Sequence, residues 1–121
     1  MIQSSRRKSS YKQSILTGRQ DFADLFEKGR KIRYKNIQLI SLAGNQDEFK
    51  FAICVSTRFG KSVVRNRLKR IYRFAMMQSL KQVNKGWKIA LLPIGQVKEL
   101  NSKMVCQQLD YVLNQYGFCL K

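Results

Sequence analysis

The sequence has 121 residues, room for one domain with a modest core, and its 44% apolar and 11% aromatic content excludes a chain disordered throughout. Twenty-four Lys and Arg oppose seven Asp and Glu, a net charge of +17, so the first partner to consider is nucleic acid and the second an anionic membrane surface. There is no histidine, no apolar run near the ~20 residues of a membrane span, and Cys54, Cys106 and Cys119 are far apart, which argues against a zinc finger or a membrane protein and suits free thiols in a reducing compartment.

Residues 1–14 are polar and basic and read as a flexible arm, although a Ser- and Arg-rich, acid-free start also resembles a transit peptide. Residues 15–121 are expected to form a single domain. From about Gly18 to Lys28 the apolar residues Phe22, Leu25 and Phe26 recur at helical spacing, and Gly29 offers a stop. Lys31–Tyr34 and Gln38–Leu42 read as extended, the second with imperfect apolar alternation from residue 37. After a turn at Gly44-Asn45-Gln46-Asp47, Phe49–Ser56 is the best strand in the chain, and its proximity to 37–42 predicts a hairpin between the two.

Gly60 breaks the chain, and a long helix is predicted from about Lys61 to Lys81, with Val64, Leu68, Ile71, Tyr72 and Ala75 as its apolar positions. Lys88–Leu92 reads as a buried strand ended by Pro93. A last helix runs from Met104 to Tyr116, with Asn101-Ser102 as its cap, Val105, Leu109, Val112 and Leu113 inward, and Gly117 as its stop. The order α-β-β-β-α-β-α predicts an α+β fold, a mixed α/β sandwich.

Charge is unevenly spread along these elements. From Phe49 to Lys98 there is no acid but twelve Lys and Arg, and Lys28, Arg30, Lys31, Arg33 and Lys35 form a second basic group. On a wheel of the long helix, Val64, Leu68, Ile71 and Ala75 fall within roughly 60°, while Arg65, Asn66, Lys69, Arg70 and Arg73 spread over roughly 140° on the far side and Arg67 lies at the border. A solvated helix face normally mixes signs. Like charges at i, i+4 (Arg65, Lys69, Arg73) repel by a few tenths of a kcal/mol, so an external anion is expected there, and Arg suits bidentate contact with phosphate. The preceding loop, Ser56 to Ser62, leads into a helix N-terminus suited to an anion but lacks P-loop spacing.

The run Phe51-Ala-Ile-Cys-Val-Ser-Thr-Arg-Phe-Gly-Lys-Ser-Val-Val-Arg-Asn-Arg-Leu-Lys-Arg-Ile-Tyr-Arg73 resembles the signature of the bacterial ribonuclease P protein component: Gly-x-x-Val, then Arg-Asn-Arg followed by x-Lys-Arg. The resemblance extends over roughly residues 16–115, through Asp21-Phe22, Phe26 and Gly29 and through Gly86-Trp-Lys-Ile-Ala-Leu-Leu-Pro93. It implies a four-stranded sheet with a left-handed β-α-β crossover, and a protein that assists a catalytic RNA in removing the 5′ leader from precursor tRNA. It further implies that Mg²⁺ is held mainly by the RNA subunit and substrate, that the protein itself carries no catalytic or metal residue, and that it works in the cytoplasm without membrane or DNA. By the same resemblance Lys61, Arg65, Asn66, Arg67, Lys69, Arg70 and Arg73 face the RNA subunit, and Phe22, Phe26, Gln38, Ile40 and Arg58 line a cleft for the single-stranded leader.

Four positions depart from the family's pattern. Thr57 stands where a lysine is expected, Gln38 and Ile40 where apolar and aromatic residues are common, and Phe74 where a polar or acidic residue is typical. A ribosomal or general RNA-binding protein would explain the charge but not the Arg-Asn-Arg signature on this element order. A self-sufficient nuclease would need carboxylates or histidines at metal-binding spacing, and a helix-turn-helix reader would need a short helix where the strand before Gly60 sits.

Overall fold

A computed structural model describes residues 15, 16 and 18–118, so the basic arm expected over 1–14 and Cys119 lie outside the described residues. The elements are α1 (Arg19–Lys28), β1 (Arg30–Tyr34), β2 (Ile37–Ala43), β3 (Phe49–Ile53), a 3-10 turn (Thr57–Phe59), α2 (Ser62–Ser79), β4 (Trp87–Pro93) and α3 (Ser102–Gln115). This is the α-β-β-β-α-β-α order, a mixed α+β fold around a four-stranded sheet.

The strands lie in the order β1-β2-β4-β3. β1 and β2 are an antiparallel hairpin across a two-residue turn at Lys35-Asn36, with Tyr34 opposite Ile37. The hairpin expected between 37–42 and 49–56 does not form. β4 lies between those two segments, antiparallel to β2 and parallel to β3. Sheet insertion of this kind overrides sequence proximity, because β4 is apolar on both faces and is satisfied best at the centre of the sheet. β3 and β4 are parallel neighbours joined through α2, the crossover connection that parallel pairing requires.

Two clusters of buried side chains lie on opposite faces of the sheet. On one face α2 and α3 cover Ile32, Ile37, Leu39, Phe51, Ile89 and Leu91, contributing Leu68, Tyr72, Ala75, Met76, Val105, Leu109, Val112 and Leu113. On the other, α1 and Leu16 cover Ile40, Ala52 and Ala90, with Leu25 at the centre and Phe22 at the margin. α1 is further held by an ion pair from Lys88 Nζ to Asp21 Oδ1 at 2.9 Å. Because α1 has only ten residues, it covers part of this face and leaves the rest open.

Gly29 ends α1 as expected, but not through a left-handed conformation: its φ is −69° and ψ 153°. The reason for glycine is close approach, since a Cβ there would lie 2.3 Å from the Leu25 carbonyl oxygen and 2.6 Å from Ile40 Cγ2. Gly29→Ala is therefore expected to destabilise the fold by about 2–3 kcal/mol in urea unfolding, because backbone cannot move aside as a side-chain tip can. A loss under about 0.5 kcal/mol would show that α1 can lift from the sheet at no cost. Gly60, at φ 123°, does occupy a conformation reserved for glycine, and it sets the angle at which α2 leaves β3.

A single residue ties the remaining parts together. The Asn36 side-chain amide donates to the Ile94 and Gln96 carbonyls at 3.2 and 2.8 Å, and its oxygen accepts from Gln108 Nε2 at 3.2 Å. The Asn36 amide N–H donates to Gln108 Oε1, and the Tyr72 hydroxyl donates to the Asn36 carbonyl. The hairpin turn, α2, α3 and the chain after β4 thus meet at one point. Burial pushes the Tyr72 hydroxyl well above the usual phenol range, so this bond keeps its proton at any pH near neutrality.

Candidate nucleic-acid interface

α2 begins without an acid in its first turn and without a side-chain cap, so its N-terminal amides and the exposed Lys61 and Ser62 face solvent as a positive end. Its buried residues are Leu68, Tyr72, Ala75, Met76 and Ser79. On a wheel at about 100° per residue, the centre of that set lies roughly 60° from the expected one. Val64, expected inward, is 39% exposed and Ile71 is half-buried, whereas Met76 and Ser79 are fully packed. α2 packs on α3 as well as on the sheet, and Ser79 donates to Asp110 of α3 at 3.3 Å, which turns the helix toward that neighbour.

This rotation sorts the basic residues into a crest and two flanks. Asn66 and Arg70 are exposed on the crest. Arg65, Lys69 and Arg73, the i, i+4, i+8 series, are half-buried on the flank toward β3. There Arg65 Nε donates to the Gly60 carbonyl at 3.1 Å, and the positive charge of Lys69 reaches Cys54. Arg67 lies on the other flank, and its guanidinium donates to the Leu100 carbonyl at 2.7 Å, bracing the chain before α3. Arg67 is therefore partly committed within the protein, while Arg70 and Asn66 are the residues most fully presented outward.

On the opposite face of the sheet, strand register sets out three rows. Leu42-Lys88-Lys50 and Lys31-Ile40-Ala90-Ala52 run across the strands as paired residues. The third row is Arg33-Gln38-Leu92, continued by Cys54, whose amide donates to the Leu91 carbonyl at 3.0 Å. α1 closes over the first two rows except at the β1 edge, where Lys31 stays exposed, and Ile40, at 1% exposure, is part of the packed core beneath it with no surface to offer a ligand. The third row is half-open. Beside it, Phe22 and Phe26 stack at 6.5 Å between centroids, and Phe26 keeps 39% of its surface in water.

The structure thus brings Phe22, Phe26 and Gln38 to one face of the sheet but not Ile40 as a surface residue. Arg58 also stands apart from the aromatic pair. Its guanidinium lies 4.2 Å over the Phe59 ring, and it lines a groove with Val64, Gln96 and Lys98 at the N-terminal end of α2. Leu92, Cys54, Lys31 and Arg33 belong to the open face although sequence reading did not single them out for it. Alternation places them on the correct side, but it takes strand register to put them in one row. Burial raises the Cys54 thiol, an effect that Lys69 only partly offsets, so the floor of this face is a neutral thiol rather than a thiolate at neutral pH.

Among the described residues no three His, Cys, Asp or Glu converge as a metal site would require, and no helix is long and apolar enough to cross a membrane. Two cationic surfaces, one a helix crest and one a sheet face with stacked aromatics, are what polyanion recognition needs.

The family model for ribonuclease P matches residues 11–117. The ribonuclease P protein component of Synechocystis sp. is 29% identical over 100 residues, covering 81% of this chain and 81% of that protein, and that of Streptococcus thermophilus is 30% identical over 93 residues, covering 77% and 83%. Among solved structures, the ribonuclease P protein of Thermotoga maritima superposes with a TM-score of 0.75 at 24% identity over 83% of this chain and 94% of its own. A mutant of the Staphylococcus aureus protein gives 0.78 at 20% identity over 97% and 96%.

Proposed function

This chain belongs to the ribonuclease P protein family, and we propose that it binds the catalytic RNA through the α2 crest and the 5′ leader of precursor tRNA across the open sheet face. As a bacterial-type protein component it takes part in tRNA processing with an RNA subunit. The observation that carries the finer assignment is the separation of the two surfaces. Arg70 and Asn66 project from one side of the sheet sandwich, and Phe22, Phe26 and Gln38 lie on the other. One protein can then touch a structured RNA and a passing single strand at once.

In this reading the bond is cut by the RNA. The chain has no histidine, and among the described residues the carboxylates at Asp21, Asp24, Glu27, Asp47, Glu48, Glu99 and Asp110 do not gather as metal ligands would. Mg²⁺ belongs to the RNA subunit and the substrate. The protein raises affinity for both precursor and Mg²⁺ indirectly, by lowering phosphate repulsion between the two RNAs with its +17 charge. In this reading the protein works in the cytoplasm.

At the open face, Lys31 and Arg33 on the edge strand follow the leader backbone, and the Phe22-Phe26 stack offers a π-surface to an unpaired base, which is tolerant of sequence. Phe26→Ala is the cleaner test because this ring is already half in water. In single-turnover cleavage it is expected to weaken binding of a long-leader precursor about tenfold, while a precursor with a one-nucleotide leader is bound as before. Equal losses for both substrates would move Phe26 out of leader contact.

A further inference from the structure

We propose that the groove between α2 and α3 beside Phe74 receives an unpaired nucleobase of the RNA subunit, a contact separate from the Arg-Asn-Arg crest. The inference rests on the assignment of α2 to that RNA. Phe74 lies one helical turn beyond Arg70 and, at about 100° per residue, roughly 40° from it around the helix. Its side chain is 48% exposed, which leaves a π-face open to stacking.

The ring opens onto a cavity of about 430 Å³ whose other walls include Gln78, Gln82, Ser102, Lys103 and Asp110. This lining suits a nucleotide in two parts. Lys103 and the first turn of α3 are positive and suit a phosphate, whereas the Asp110 carboxylate repels one. The base is thereby directed over Phe74 toward Asp110, which is positioned by the Ser79 hydroxyl at 3.3 Å and accepts hydrogen bonds from exocyclic amino groups. Guanine, adenine and cytosine carry such a donor and uracil does not. Paired bases cannot enter, because their edges are engaged and their faces stacked, so the occupant comes from a loop or bulge. A second copy of this chain is disfavoured, since each copy brings a charge of +17.

The test is assembly of the transcribed ribonuclease P RNA with the full-length protein and three variants, Phe74→Ala, Phe74→Leu and Phe74→Trp, measured against salt, beside the double variant Arg65→Ala/Arg70→Ala. The proposal expects Phe74→Ala and Phe74→Leu to weaken assembly about tenfold, Phe74→Trp to retain it, and the salt slope to change by less than in the arginine variant, since stacking itself neutralises no phosphate. Leu keeps the apolar bulk without the π-face, so a Leu variant as tight as the native protein would overturn the proposal. Native binding by Phe74→Ala alongside weakened binding by the arginine variant would overturn it too, while leaving α2 as the RNA face. Failure of the unmodified protein to assemble would instead overturn the underlying assignment. If Phe74→Ala alters only self-association in sedimentation, the groove is a protein contact and the proposal fails.

Discussion

Alanine at both Arg65 and Arg70 is expected to weaken assembly with the RNA subunit about a hundredfold, from two lost charge-assisted contacts of ~1.5 kcal/mol each. Arg70 stands exposed on the α2 crest, and the half-buried Arg65 sits one helical turn from Lys61 with its Nε donating to the Gly60 carbonyl, a bond that does not engage its terminal nitrogens. Neither side chain holds the core, so the variant should fold and unfold as the native protein does. The salt dependence should flatten: each phosphate no longer neutralised lowers the slope of log K against log salt by ~0.7–0.9. Weaker binding with an unchanged slope would show that these residues act on protein shape and not on phosphate. Arg67→Ala should behave differently, losing stability as well as affinity, because its guanidinium braces the Leu100 carbonyl.

Asn36→Ala is expected to have the largest effect on stability, about 3 kcal/mol. Three side-chain hydrogen bonds disappear together, and Gln108 Nε2 and the Ile94 carbonyl are left in a partly buried position without their partner. Losing one such bond and stranding its partner costs ~1–3 kcal/mol, and water reaching the more exposed Gln96 carbonyl recovers part of the total. For a domain of this size the midpoint of thermal unfolding should fall by roughly 10 °C or more. A fall under about 3 °C would mean that the backbone bonds of Asn36, which survive the substitution, hold the junction alone.

Every helix and strand among the described residues was legible in the sequence to within a few residues, because each rests on local signals: the Asn101 cap that accepts from the Met104 amide, the apolar run of β2, the helical spacing of Leu68, Tyr72 and Ala75 in α2. What escaped were matters of partnership. Phe49–Ile53 reads as a strand by residue type, with Phe51 buried on one face and Ala52 on the other, but that does not tell which strand lies beside it, and the true neighbour, β4, arrives some forty residues later. The orientation of α2 was misjudged because Val64 and Ile71 are apolar by type, whereas Ser79 is buried through a bond to Asp110 thirty-one residues away. Asn36 gave no signal at all, since its side-chain partners lie 58 to 72 residues along the chain.

The interface divides in the same way. The Arg-Asn-Arg face is continuous in sequence, so spacing alone displayed it. The open sheet face is assembled from α1, β1, β2, β3 and β4. Composition suggested Phe22 and Phe26, yet it took the register and the cover of α1 to bury Ile40 and to bring Leu92 and Cys54 alongside Gln38, and the turn after β3 to seat Arg58 over Phe59.

The most direct test of the account is cleavage of a precursor tRNA by the purified protein, freed of RNA, with and without the transcribed ribonuclease P RNA at low Mg²⁺. The account predicts no 5′-leader removal by the protein alone, little by the RNA alone, and efficient removal by the two together. Robust cleavage by the RNA-free protein would contradict it.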